Sequence, residues 1–588
     1  MFKFRYFLFI IFCLGLFFNS KATHNRAGEI TYKWLYGYTY EIKITTYTNI
    51  GGINLADRCE DTLYFGDGTH TAVLRSNGPI GICSPAHDGA PLPNGTIKLN
   101  EYITTHTYAG PGNYKMSMED PNRNVGIINI PNSVNQVFYI ESFLVIPSFG
   151  LGNNSSPVLT FPPIDNGCVT QCFYHNPGAY DIDGDSISYE LTTCRGNFGS
   201  TCPGYSYPAT GSGIFNVDSL TGTLKWCSPQ LQGEYNIAML IKEWRLDNSG
   251  NYFLIGYVLR DMQVDVGSCN NYPPQIMFNN LDTCIVAGTN FTNTIAANDL
   301  NGDYITISAN GGPFAFTLNP SSFISTPSTS ITSGTFNLNT TYSHIRRMPY
   351  QVTVKVKDNN SVISLVHFKT FNVKIIPNAP LNLTTYSSNN YILLKWNKPT
   401  NYSLVGANSF LKYKVYRKNG LSNWTPSNNE TNPPAYTGFS YIGSTSNNIN
   451  DTLFYDYIVG NSFTPGEDYS YVVVTQYADG SCSYVSNISS NQIFVGIKEF
   501  SLDNFQIKIF PNPINQNFTV SFNRNSNELF TIDLVDITGR KIKTFINNES
   551  LTKENLFQFN LENINQGIYF LKITGNQNTN ITKKIIKQ

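Results

Sequence analysis

Short runs in which apolar and polar side chains alternate recur along much of the chain. GEITYKWLYGYTYEIKITTYT (Gly28 to Thr48) alternates with period two on both sides of Gly37, which predicts two strands joined by a turn. The same reading applies to FNVDSLTGTLKW (Phe215 to Trp226), GEYNIAMLIKEW (Gly233 to Trp244) and QVTVKVKD (Gln351 to Asp358). Between them stand Asp-Gly, Thr-Gly and Gly-x-Tyr turns, where glycine tolerates positive φ. The pattern predicts an all-β protein, and 588 residues leave room for several β-sandwich domains.

Composition sharpens this picture. Charged residues make up 13% and aromatic ones 14%, with 37 Tyr and 39 Phe, so uncharged polar side chains carry the surface. The net charge of -1 argues against nucleic acid as a partner, because phosphate binding needs clustered positive charge.

The first residues have the form of a secretory signal. Lys3 and Arg5 precede an apolar run from Tyr6 to Phe18, and small residues at Ser20 and Ala22 suit cleavage after Ala22. The run is shorter than the roughly 20 residues that cross a bilayer. Residues 1–22 are therefore expected to be a signal peptide, and the exported chain to oxidise its cysteines. The pairs expected from proximity in sequence are Cys59–Cys83, Cys194–Cys202 and Cys269–Cys284, with Cys482 free or paired across domains.

Several stretches are similar to known modules. Leu63-Tyr64-Phe65-Gly66-Asp67-Gly68 and His106, Tyr108, Pro111, Gly112 and Tyr114 resemble the two motifs of the PKD domain, which implies a sandwich over 23–150. Residues 158–268 resemble cadherin-like domains of the dystroglycan type. Residues 272–376 repeat their order, with Asp299-Leu300-Asn301-Gly302-Asp303 aligned on Asp181-Ile182-Asp183-Gly184-Asp185. Pro273-Pro274 and Ile376 to Pro380 read as stiff linkers. Residues 378–496 resemble a fibronectin type III domain, in which Trp396 would fill the core and Tyr469, six residues after Phe463 and four after Pro465, would be the tyrosine of the tyrosine corner. Together these resemblances imply an all-β tandem array of immunoglobulin-like β-sandwich domains.

Residues 503–588 closely resemble the type A C-terminal sorting domain of the type IX secretion system of gliding-type Gram-negative bacteria. The matching residues are Pro511-Asn512-Pro513, Asp536 with Gly539-Arg540, Gly567-Ile568-Tyr569 and the basic tail Lys583, Lys584 and Lys587. The resemblance implies passage through the outer membrane, recognition by the type IX machinery, and release or attachment at the cell surface.

For chemistry, no H-E-x-x-H, G-x-S-x-G or P-loop pattern occurs. His70, His87 and His106 share one domain, but His106 belongs to the PKD motif. The sharpest candidate is the turn Asp181-Ile182-Asp183-Gly184-Asp185, whose crowded carboxylates suit Ca²⁺, an ion that takes six to eight oxygens. Glu190 and Asp218 are expected to add oxygens, and Asp299, Asn301 and Asp303 form a weaker second set. A hairpin with capping aspartates is the alternative. No other cofactor is expected. These features predict a non-enzymatic, adhesin-like protein that contacts glycans or other surface ligands. The alternatives are an exported hydrolase and a structural part of a gliding or surface assembly.

Overall fold

The computed structural model describes residues 25–50, 58–93, 95–148, 151–247, 250–278, 280–388, 391–401, 410–427, 430–457, 463–464, 466–492, 506–523, 528–550, 555–576 and 580–588. The expected signal peptide and Pro465 lie outside them. Regular structure among the described residues is strands and a few short 3-10 turns. No helix there is long and apolar enough to cross a membrane. The chain divides into two compact units. One holds residues 1–384, 394–454 and 469–490; the other holds 385–393, 455–468 and 491–588.

The alternating run at Gly28 folds as foreseen. Asn25–Tyr36 and Thr39–Asn49 pair antiparallel, with Tyr32 opposite Ile42 and Gly37 at φ 52° in the turn. One face of this ribbon buries Ile30, Tyr32, Ile42 and Ile44 against Leu63, Phe65, Met116 and Ile140. The PKD-like motif residues meet here. The His106 ring stacks on Phe65 at 3.9 Å and its Nε2 lies 2.7 Å from Asp67 Oδ2, so the two motifs clasp each other.

The sandwiches expected at 23–150 and 158–268 are not separate beads. The 16-residue strand Tyr252–Gly267 pairs along one edge with Gly233–Leu246. Its other edge takes a strand from each layer of the N-terminal sandwich, Phe138–Ile146 at Gly256 to Val258 and Asn25–Tyr36 at Asp261 and Met262. The result is one 12-stranded sheet. Ala27, Tyr47 and Ile97 accordingly pack into the same core as Trp226, Tyr235 and Ile237. Two buried ion pairs cross this seam. Arg260 donates to Glu29 through Nε and Nη2 at 2.8 and 2.9 Å, and Arg123 donates to both oxygens of Asp261 at 3.0 and 2.7 Å.

Residues 275–376 form a two-sheet sandwich around Phe336, Val352, Val354 and Phe371. Lys355 ties it to the preceding module by donating to Asp165 Oδ1 at 2.6 Å. Beyond it, Phe410–Asn419 and Asp468–Tyr477 pair antiparallel, and Trp396 is buried with its ring edge-on to Tyr413 at 5.3 Å. In the stretch after Asn419, Trp424 packs on Phe439 at 5.7 Å.

In the second unit, residues 506–588 form two facing sheets of three and four strands. Phe518, Val520, Ile532, Leu571, Ile573 and Ile585 lie between them.

A Gly-x-Tyr turn opens a strand in three of these modules. Each time the hydroxyl donates to the carbonyl four residues back: Tyr114 to Gly110 at 2.8 Å, Tyr235 to Leu231 at 2.9 Å and Tyr569 to Asn565 at 2.9 Å.

Two of the three disulfides among the described residues follow strand pairing and not closeness in sequence. Cys59–Cys83 forms as expected. Cys269 instead bonds Cys168, because the short strand Gly167–Cys168 runs parallel to the end of Tyr252–Gly267. Cys172 and Cys227 face each other on paired strands and are bonded. Cys284 sits apart on a strand beside Val366–Ile376 and is free. Cys194, Cys202 and Cys482 are also free and buried, so the expected Cys194–Cys202 bond is absent.

Candidate functional site

The turn at Asp181 is built by its own side chains. Asp181 Oδ1 accepts from the Asp185 amide at 2.6 Å, and Gly184 adopts φ 90°, which closes the turn tightly. This brings Asp181 and Asp185 to Glu243 near the end of Gly233–Leu246, with one carboxylate oxygen from each within 4.8 Å of the others. All three residues are buried. Asp185 is held by Arg245, whose Nε donates at 2.7 Å and Nη2 at 2.5 Å. Asp181 Oδ2 and Glu243 Oε1 are buried without a donor.

The electrostatics match that deficit. Burial, and then the charge of Asp185, push the Asp181 carboxyl up to about 6. Burial and the charge of Asp181 raise Glu243 well above the usual carboxylate range, and burial also raises Asp183. Carboxylates crowded in a low-dielectric site either take up protons or hold a cation.

The third module repeats the arrangement. Asp299 Oδ1 accepts from the amides of Asn301 and Asp303 at 2.9 and 3.0 Å, and Asp299, Asp303 and Asp358 converge within the same 4.8 Å. Asp299 Oδ2 is again buried without a donor. Asp358 ends the strand Tyr350–Asp358, which takes the place of Gly233–Leu246 in the repeat.

Each cluster is fed by a linker of one form, Asn153-Asn154-Ser155-Ser156-Pro157 or Asn270-Asn271-Tyr272-Pro273-Pro274. The second Asn donates to the strand acid: Asn154 Nδ2 to Glu243 at 2.9 Å, Asn271 Nδ2 to Asp358 at 2.7 Å. The next backbone amide donates to the middle residue of the turn: Ser155 to Asp183 at 2.6 Å, Tyr272 to Asn301 at 2.8 Å.

The expected ligand sets are thus corrected. Asp181 and Asp185 join Glu243, while Asp299 and Asp303 join Asp358. Asp183 and Asn301 hold the linkers. Glu190 leaves the site because its side chain lies on the surface paired with Lys242. Asp218 caps its own turn, accepting from Leu220 and Thr221 at 3.0 and 2.8 Å. Glu243 and Asp358 were not picked out from the sequence. The signal for them was present, since both lie at or near the ends of the strands that align in the repeat, after the matched Asn-Asn-x-x-Pro linkers. Each cluster offers carboxylate oxygens suited to a hard divalent cation.

The expected sorting residues form a second constellation. Pro511 and Pro513 have no N–H to offer a neighbouring strand. Asn512 supplies both roles instead: its Oδ1 accepts from the Ile586 amide at 2.9 Å and its Nδ2 donates to the Lys584 carbonyl at 3.0 Å. The last strand, Asn580–Lys587, is thereby latched, with Lys584 exposed and Lys583 half-buried. Gly539, at φ 83°, and Arg540 close a turn in which Asp536 accepts from the Thr538 and Arg540 amides at 2.9 and 3.0 Å. Gly567 and Tyr569 make the third Gly-x-Tyr turn.

Residues 508–588 match the family model described as the Secretion system C-terminal sorting domain. The chain carries a sorting domain of the type IX secretion system, which directs it to the cell surface or the medium. Similar solved structures include two multidomain chains. Domains A168-A170 from titin are 11% identical, with 56% of this chain and 96% of that one covered and a TM-score of 0.18. The N-terminal eight Ig domains of Down Syndrome Cell Adhesion Molecule (DSCAM) isoform 1.30.30 are 10% identical, with 96% and 74% covered and a TM-score of 0.15. No curated protein sequence matches the chain.

Proposed function

We propose that this exported protein is a non-enzymatic, adhesin-like binding protein whose β-sandwich body is stiffened by calcium and presents a contact surface to glycans or other cell-surface ligands. The observation that carries this reading is the repeated joint. At two successive module entries an Asn-Asn-x-x-Pro linker is bonded to an acid cluster that keeps a buried carboxylate oxygen without a donor. A cation there ties linker, turn and strand together, so each module is held at a set angle to its own entry chain. That device serves reach and stiffness, which a surface-contact protein needs.

Calcium titration of the full mature chain by calorimetry tests it. Binding is expected in the wild type, and loss of one class of sites in Asp181→Asn/Glu243→Gln and of the other in Asp299→Asn/Asp358→Asn. Heats indistinguishable from dilution would remove the calcium part of the proposal. Unchanged adhesion of cells lacking the chain would remove the adhesive part.

A further inference from the structure

The outer face of the Asp181 turn lines a cavity of about 460 Å³. Its walls come from the linker, the end of Gly233–Leu246, the residues before Tyr350–Asp358 and the turn at Asp479, all within the first compact unit. That volume lies in the range of small-ligand sites, roughly 300–1,000 Å³.

Three arginines line it, and two are spent. Arg245 gives its donors to Asp185, to Asn154 Oδ1 at 2.8 Å and to the carbonyls of Leu151 and Asn153 at 2.8 and 2.9 Å. Arg346 donates to the carbonyls of Asp181, Met348 and Pro349, each at 3.0 Å, and lies 3.6 Å over the Tyr350 ring. Arg347 is different: among the described residues no carboxylate or carbonyl accepts from it. It lies against Gly480, where a Cβ would stand 3.0 Å from its Nη1, and that glycine sits at φ 85°.

Around this open guanidinium the cavity presents acceptors and an apolar wall. Asp479 uses Oδ1 on Ser481 and Asp183 uses Oδ2 on the Ser155 amide, which leaves oxygens of both for a ligand. Trp244 and Met348 supply the apolar side.

We propose that this cavity binds a carboxylated sugar, with Arg347 taking the carboxylate and Asp183 and Asp479 accepting ring hydroxyls. A planar guanidinium fork matches a carboxylate. The two flanking acids disfavour doubly charged anions such as phosphate, and they pair well with hydroxyl donors. Trp244 offers a face to the C–H side of a sugar ring. The assignment rests on the reading of the chain as a glycan-contacting protein and gives that reading a site.

The test is calorimetry of the full mature chain with a glucuronate-terminated disaccharide, its neutral glucose counterpart, inorganic phosphate and alanine. The acidic disaccharide is expected to bind, and the neutral one at least about ten-fold more weakly, as for loss of a charge-assisted bond. Arg347→Ala is expected to abolish the difference, and Arg347→Lys to restore only part of it; circular dichroism confirms folding of both. Equal binding of the two sugars, preference for phosphate or alanine, no binding at all, or unaltered binding by folded Arg347→Ala would each overturn the assignment. Cells lacking the chain separate the two readings. If they lose adhesion and the Arg347→Ala chain restores it fully, this cavity is not the contact site and the adhesive reading stands. If they adhere normally, the adhesive reading fails whatever the sugars do.

Discussion

Asn154 donates its side-chain amide to Glu243, 89 residues away and fully buried, and so fastens the entry of one module to the far end of a strand within it. Asn271 repeats the bond to Asp358 across 87 residues. A hydrogen bond to a buried charged group contributes about 1.5–3 kcal/mol. Asn271→Ala is therefore expected to lower unfolding free energy by about that amount in urea titration. Asn271→Asp should cost at least as much without calcium, because it adds a fourth acid to the cluster.

The seam between the first two modules makes a second prediction. Removing one partner of a buried ion pair strands the other, at a cost of about 3–5 kcal/mol. Arg260→Met should therefore destabilise strongly, and Arg260→Met/Glu29→Met should recover much of the loss. Denaturant midpoints of the single and double variants measure this. Because one 12-stranded sheet joins the two ranges, and Ala27, Tyr47 and Ile97 share a core with Trp226 and Tyr235, both ranges should unfold in a single transition.

The acid cluster sets a pH dependence. Asp181 titrates at about 6 in the folded chain against 3.8 when unperturbed, because burial and Asp185 favour its neutral form. Its folded pKa is raised, so the folded state binds more protons between these values and the site's contribution to stability falls as pH rises from about 4 to 6. In chelator, wild type should lose stability relative to Asp181→Asn over that window, because the amide does not titrate. Calcium should oppose the decline, because it binds the ionised form. Urea titrations at both ends, with and without calcium, check the sign.

Asn512 stands in for the backbone that two prolines take away. Asn512→Ala removes both bonds to the last strand, and faster amide exchange at Ile586 is expected from hydrogen-exchange mass spectrometry. The amount of chain reaching the surface should fall with it, while Asn517→Ala, whose Oδ1 bonds only the exposed Asn560 side chain, should leave both unchanged.

Much of this was legible in the residues. Period-two alternation placed the strands, because a half-buried strand imposes it locally. Asp67-Gly68, the Gly-x-Tyr turns and Trp396 announced themselves, since each acts through neighbours close in sequence or through a core any sandwich needs. Nothing in Tyr252–Gly267 announces that both layers of the preceding sandwich pair with it, as alternation fixes the faces of a strand and leaves its partner open. The Cys168–Cys269 bond follows from that same long-range pairing. Glu190 looked like a ligand by proximity, but strand twist and register turn it outward to Lys242, while Glu243 arrives from a strand more than fifty residues on.

The proposed contact surface lies between the expected signal peptide and the sorting domain. The most direct measurement is adhesion of cells to a glycan-coated surface, comparing the full chain with one lacking residues 25–492 but keeping the signal and sorting domain. The shortened chain is expected still to reach the surface, adhesion is expected to be lost with it, and chelator is expected to reduce adhesion by the full chain. Adhesion equal in both strains would contradict it.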